Sequence, residues 1–238
     1  PLPIPAAAQR LADAFWPGPL TLVLPRRPGA VPDCVTASLP TLAVRMPSHP
    51  VARRLLQLAH VPVAAPSANL SGHPSPTTAE HCVHDLGNSP RVATIIDGGA
   101  CGFGVESTVV DVCCSACGGR PIVLRPGGVT LEQLRTVLPE IQVYSAAVHG
   151  TALQQRPSTP GMKYRHYAPS APVVCWVKDG APGTQPSDAL VAKVCADVAA
   201  RVKEGSCKRV GIITTHQGED CWRWDEAVEK RLLGGEEL

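Results

Sequence analysis

Aromatic residues are scarce in this 238-residue chain, which has two Phe, four Trp and three Tyr. A protein that holds nucleic acid mainly by stacking successive bases carries more of them. Net charge is small as well: 22 Lys and Arg against 20 Asp and Glu leave +2. That excludes strong electrostatic capture of a polyanion by the whole surface and leaves only local basic clusters open. No uninterrupted apolar run approaches the roughly 18 residues that suggest a membrane span. The start, Pro1-Leu2-Pro3-Ile4-Pro5, lacks the charged beginning and apolar stretch of a secretory signal. Methionine is confined to Met46 and Met162, so no initiator is present. The chain is read as soluble, cytoplasmic and a fragment.

What is abundant is proline, at 25 residues, with 21 glycines beside it. This is about twice ordinary proline usage, and it predicts short elements between rigid turns rather than a helix bundle or coiled coil. Ten cysteines fall below disulfide-scaffold density, and most, like Cys175 and Cys195, sit in apolar runs as small buried residues. Cys113-Cys114-Ser115-Ala116-Cys117 holds a Cys-x-x-Cys pair but has no second half at zinc-site spacing, so a hairpin loop is the better reading.

Periodicity and turn signals predict a helix over Ala6–Trp16, a strand over Leu20–Leu24 and a strand over Thr41–Met46. A helix from Pro50 follows, capped by Ser48, and then a short strand over Val61–Ala65. The next helix begins at a Thr77-Thr78-Ala79-Glu80 capping box. Beyond it lie β-rich runs over Val92–Asp97, Ser107–Val112 and Ile122–Arg125, and a helix over Leu131–Leu138 introduced by Thr130 and Gln133. Residues 144–171 read as a linker by composition, between a domain over 1–143 and a second over 172–238. The second consists of Val173–Val177, a helix over Asp188–Lys203 and Arg209–Thr214, a single β-α-β unit that looks cut short.

Phosphate-loop, His-Glu-x-x-His and Gly-x-Ser-x-Gly signatures are absent. Gly98-Gly99-Ala100-Cys101-Gly102-Phe103-Gly104 invites a dinucleotide reading but leads into a strand, not a helix, so it is taken as a glycine-rich hairpin. The polar loop Pro66–Thr78, with Ser67, Asn69 and Ser75, suits either phosphate and base contacts or ordinary helix capping. Arg45 within an apolar strand, and Arg125 before Pro126-Gly127-Gly128, would each pair with a structural acid or hold a substrate anion. The segment Pro157–Pro169 packs Lys163, Tyr164, Arg165, His166 and Tyr167 together, as a lid or as a solvated basic stretch.

Taken in order, these segments closely resemble the YrdC-like family in its long two-domain form, the threonylcarbamoyl-AMP synthases. The residues that carry the resemblance are Phe15-Trp16-Pro17-Gly18-Pro19-Leu20-Thr21, Ala43-Val44-Arg45-Met46-Pro47-Ser48-His49-Pro50 and Ala65-Pro66-Ser67-Ala68-Asn69 through Ser75-Pro76-Thr77-Thr78-Ala79-Glu80-His81. They continue in Gly104-Val105-Glu106-Ser107-Thr108-Val109-Val110-Asp111, Leu124-Arg125-Pro126-Gly127-Gly128 and the Pro160–Pro169 linker. The resemblance implies an α/β fold, a twisted open mixed sheet with helices, then a linker and a partial Rossmann-like β-α-β second domain.

The implied reaction joins L-threonine, bicarbonate and ATP, with Mg²⁺, into threonylcarbamoyl-AMP and pyrophosphate, for threonylcarbamoyladenosine at position 37 of tRNA. Carried over, Thr41, Ser67, Asn69, Ser75, Arg125 and Tyr164 become ATP or adenylate contacts. Arg45, Ala65 through its backbone, and Ser107 become the threonine pocket, and Lys163, Arg165, His166 and Tyr167 a flap. The implied partners are tRNA or double-stranded RNA and a downstream threonylcarbamoyl-transferase complex. The family's Glu-Thr-x-Tyr-Gly and Lys-x-Arg segments have no counterpart here, which makes weak activity or none the expectation for this chain alone. The rival reading is a non-catalytic RNA-binding, translation-associated module. A carbamoyl-phosphate-using hydrogenase-maturation factor is disfavoured, because Cys114 and Cys117 stand without a second pair.

Overall fold

A computed structural model describes residues 4–113, 119–145 and 188–203. The chain divides into two compact units, Pro1–Ser170 and Ala171–Leu238. In the first, α1 (Ala6–Phe15) leads to β1 (Leu20–Pro25), a single turn of helix α2 (Asp33–Thr36) and β2 (Thr41–Val44). Helices α3 (Pro50–Ala59) and α4 (Ala79–Leu86) come before β3 (Thr108–Asp111), β4 (Ile122–Arg125), α5 (Leu131–Val137) and β5 (Gln142–Val143). In the second unit α6 spans Asp188–Lys203, as its periodicity predicts, and buries Val194 and Val198. The predicted strands Val173–Val177 and Arg209–Thr214 lie outside the described residues.

The five strands form one open sheet in the order β2-β1-β3-β4-β5. It is mixed: β1–β2 and β3–β4 are antiparallel, while β1–β3 and β4–β5 are parallel. Alternation along the strands sorts the core into two layers. Leu20, Leu22, Val110 and Val123 join Leu11 of α1 and Leu134 of α5 on one side. Val23, Val109, Ile122 and Leu124 form the other, with Tyr144 packed against them. The Arg10 guanidinium donates to the carbonyl of Val137 and ties α1 to α5. Thr130 caps α5 reciprocally: its hydroxyl accepts from Gln133 N at 3.2 Å, and its own N–H donates to Gln133 Oε1 at 2.9 Å.

Several local expectations are corrected. The N-cap of α3 is His49, not Ser48, and no side chain caps it. Pro50 at the first helical position, having no N–H, removes one of the donors that a cap would satisfy. The cap of α4 falls one residue later than expected, at Thr78, whose hydroxyl accepts from His81 N. Val61–Ala65 and Val92–Asp97 are β-rich in composition but form no ladder, since β propensity becomes a strand only where a partner supplies hydrogen bonds. Gly98–Gly104 is a loop and not a hairpin, because β3 pairs with β1 and β4. By contrast β3 and β4 are consecutive and antiparallel, so the segment holding Cys113 does connect a hairpin, although Cys114 and Cys117 lie outside the described residues.

Burial is strongly uneven. From Ala37 to Glu106 no residue is buried. The apolar stripe Val51, Leu55 and Leu58 of α3 is exposed, as are Val61, Val63 and Ile96. No helix among the described residues is long and apolar enough to cross a membrane.

Two outcomes follow for stability. Leu22 is 1% exposed, and Leu22→Ala is expected to cost about 2–5 kcal/mol in a denaturant titration, the usual range for a cavity that cannot collapse. Asp111 is also buried. Burial pushes its carboxyl above the ordinary range, and the Cys113 N–H at 2.9 Å only partly opposes this. The folded state thus holds the proton more tightly than the unfolded one, and stability falls as pH rises from about 4 through the raised value. Asp111→Asn keeps an acceptor for Cys113 N–H; the melting temperature at pH 7 should rise and its decline between pH 4 and 7 should shrink.

Candidate functional site

The antiparallel run of β2 brings its C-terminal end beside the first half of β1, with Leu22 opposite Val44. The start of β3 and the end of β4 come to the same edge, Leu20 opposite Thr108 and Val109 opposite Arg125. Arg45 follows β2 directly, one residue past the strand that was expected to contain it. Its position is fixed by the Trp16–Thr21 segment: Gly18 N donates to Met46 O at 2.9 Å, and Trp16 Nε1 donates to Leu20 O at 2.7 Å. Gly18 cannot be replaced freely, since a Cβ there would stand 2.3 Å from Phe15 O.

Arg125 reaches back to β3. Its Nε and Nη2 donate to Ser107 O at 3.2 and 2.9 Å, and Nη2 also to Ser107 Oγ at 3.2 Å. The Ser107 hydroxyl lies 2.7 Å from Thr21 Oγ1. Arg45 is exposed overall, yet the protein packed around its guanidinium lowers its proton affinity, and the like charge of Arg125 lowers it further. Among the described residues neither arginine has a carboxylate within 4 Å. The structural alternative, pairing with an acid, is therefore not realised there. Arg125 fixed on Ser107, and Arg45 close enough to feel its like charge, leave two cations that an anion would neutralise.

The polar loop meets this cluster at Ser75, whose hydroxyl donates to Glu106 Oε1 at 2.9 Å. Asn69 folds inward: its Nδ2 donates to Leu70 O and His73 O, both at 2.9 Å, while Oδ1 is buried with no partner. Ser67 and Ala65 are exposed in the extended run that leads to it. The Gly98–Gly104 loop is pinned to Thr77 and His49, with Cys101 N donating to Thr77 O at 2.8 Å and His49 Nε2 3.1 Å from Gly98 O.

The structure thus bonds Arg125 to Ser107, brings Arg45 within reach of the Arg125 charge, and ties Ser75 to Glu106, the neighbour of Ser107. Thr41 is not gathered with them. It pairs with Pro25 at the opposite end of β2, roughly 13 Å of strand from Arg45. Lys163, Tyr164, Arg165, His166 and Tyr167 lie outside the described residues. Sequence reasoning missed Thr21 and Glu106, although both stand inside quoted segments. Their signal was position alone, Glu106 next to Ser107 and Thr21 on the strand that β3 joins. No cluster of three or more His, Cys, Asp or Glu suited to a metal exists among the described residues. Glu106, the carboxylate linked to the cluster, already accepts from Ser75. These residues do not form a Mg²⁺ cage; an ion accompanying ATP would rely on the phosphates.

Comparison with known proteins identifies the family of the chain. The Sua5/YciO/YrdC family model, described as "Telomere recombination", matches residues 2–127. A model for the threonylcarbamoyl-AMP synthase C-terminal domain matches residues 129–234. The threonylcarbamoyl-AMP synthase of Bacillus subtilis is 44% identical over 215 residues, covering 90% of this chain and 56% of that protein. The protein of the same name from Pyrococcus abyssi is 46% identical over 210 residues, covering 88% and 56% respectively. A crystal structure of P. abyssi Sua5 complexed with L-threonine superposes with a TM-score of 0.73 at 43% identity, over 90% of this chain and 58% of that one. The chain spans a little over half the length of these relatives. It belongs to the Sua5/YciO/YrdC family.

Proposed function

We propose that this chain carries the threonine and nucleotide sites of a threonylcarbamoyl-AMP synthase. The observation that supports it most is the Arg45–Arg125 pair, held beside Ser107 with no carboxylate near it among the described residues. Threonine brings a carboxylate and ATP brings phosphates, and each cation suits one of them. Arg45, Ser107 and the Ala65 backbone bind L-threonine. Arg125, Ser75, Ser67 and Asn69 face the nucleotide, while Thr41 is assigned to it on resemblance alone. Tyr164 adds a nucleotide contact, with Lys163, Arg165, His166 and Tyr167 as a flap.

In the proposed reaction the threonine amine and bicarbonate condense to a carbamate, releasing water. A carbamate oxygen then forms a bond to the α-phosphorus of ATP as the bond to pyrophosphate breaks. No protein nucleophile is needed. The side chains position two anions that would otherwise repel, and the arginines stabilise charge that develops on the phosphate. The product would supply threonylcarbamoyl groups for tRNA through a downstream transferase. The relatives' being threonylcarbamoyl-AMP synthases supports that direction.

Pyrophosphate release that requires both threonine and bicarbonate tests the reaction, and calorimetric binding of each substrate to the chain tests the site separately. Residues 1–15 hold neither a Glu-Thr-x-Tyr-Gly nor a Lys-x-Arg segment, so weak turnover is expected of this chain assayed by itself. Arg45→Ala should weaken L-threonine binding at least about tenfold, the scale of one charge-assisted contact, while ATP affinity changes less than about threefold. Equal losses for both ligands would overturn the assignment of Arg45 to threonine. RNA binding with a steep salt dependence and no threonine binding would favour the non-catalytic reading instead.

A further inference from the structure

Asn69 lies in a loop with few supports of its own. Its amide closes a short turn onto Leu70 O and His73 O, and His73 N donates to Leu70 O at 3.0 Å. That turn alone does not fix where the loop sits on the protein. The anchoring comes from Asp85, on the last turn of α4. Its Oδ2 accepts from Leu70 N at 3.0 Å, and both carboxylate oxygens lie 3.2 Å from His73 Nδ1. His84 Nδ1 is 3.1 Å from Oδ1 on the other side. The Asp85 side chain is 9% exposed, while His73 and His84 around it remain open to solvent. The donors of these contacts hold the carboxyl below its ordinary range, the Leu70 N–H contributing most.

We infer that Asp85 is a positioning residue for the nucleotide loop: its carboxylate clamps Leu70 and His73 to α4 and thereby holds Asn69 in the one orientation that leaves Oδ1 as a buried acceptor. With Nδ2 committed to two carbonyls, Oδ1 is the only capacity Asn69 has left. A buried acceptor without a partner is costly, and a donor on the ligand, such as an amino or hydroxyl group of the nucleotide, relieves that cost. The inference rests on the nucleotide reading above. It adds that affinity for the nucleotide, and not for threonine, is set from a helix that need not touch the ligand.

The test compares Asp85→Ala and Asp85→Asn with the unmodified chain by amide hydrogen exchange and by calorimetry with ATP and with L-threonine. In Asp85→Ala, exchange at Leu70 should accelerate at least about tenfold, while the Val110 and Val123 amides of the sheet stay protected, which shows that the fold is intact. The Kd for ATP should rise about fivefold or more and that for L-threonine should not move. Asp85→Asn, which keeps an acceptor for Leu70 N–H, should restore most of the protection and most of the ATP affinity. Unchanged exchange at Leu70 in Asp85→Ala overturns the clamp, as do equal losses for the two ligands with the sheet still protected. If the unmodified chain binds no ATP, the nucleotide reading fails while the exchange data still decide the clamp.

Discussion

At the entrance to β3 the backbone of Glu106 and Ser107 is pressed between the start of β1 and the turn that follows β4. Thr108 N donates to Pro19 O at 2.9 Å on one side, and Gly128 N donates to Glu106 O at 2.9 Å on the other. A Cβ on Gly127 would stand 2.3 Å from Glu106 O, and one on Gly128 2.8 Å from Pro19 Cβ. Only bare backbone fits in that gap. Because the turn closes there, Arg125 just before it is directed at Ser107, and Ser107 meets Thr21 across the β1–β3 pairing. The Thr108 hydroxyl completes the lock by donating to Val129 O and accepting from Val129 N at 3.0 Å. The placing of Arg125 on Ser107 is therefore a consequence of sheet closure, with its rigidity borrowed from the core directly beneath.

Four of the sheet's five strands and the helices α1, α3, α4 and α5 were legible in the sequence because their signals are local, whereas the short α2 and β5 were not foreseen. Apolar alternation over Leu20–Leu24 and Ile122–Arg125 states a strand wherever partners exist, and Thr130 with Gln133 states a helix start without reference to anything distant. What was not legible depends on partners remote in sequence. Val61–Ala65 and Val92–Asp97 have strand composition, but composition cannot reveal that no ladder will receive them. The candidate site divides in the same way. Arg45 and Arg125 stand out as charges at the ends of apolar runs, whereas the bond from Ser75 to Glu106 spans 31 residues and only the folded chain shows it. Asp85 carries no signal at all, since nothing in Val83-His84-Asp85-Leu86 announces that a loop twelve residues upstream will close onto it.

In the first unit, cohesion and the proposed recognition fall to different parts. Most of its buried side chains come from α1, the β1, β3 and β4 strands and α5, and these hold the arginines' frame. The stretch from Ala37 to Glu106, which supplies Arg45, the Ser67–Asn69 loop and Ser75, contributes none. Its order comes from polar fastenings such as Gly18 to Met46, Cys101 to Thr77 and Leu70 to Asp85, individually modest and lost one at a time.

That absence of buried residues has a bearing on how the site can change. Where a side chain serves the core, most substitutions are limited by folding before their effect on a ligand is ever expressed. Between Ala65 and Val105 this coupling is nearly absent, because no core packing depends on what occupies those positions. Under the proposed function, variation there would change ligand preference at little cost in folded protein. The loops proposed to meet substrates are in this sense the part freest to vary, while the frame that aims the arginines is bound by core packing.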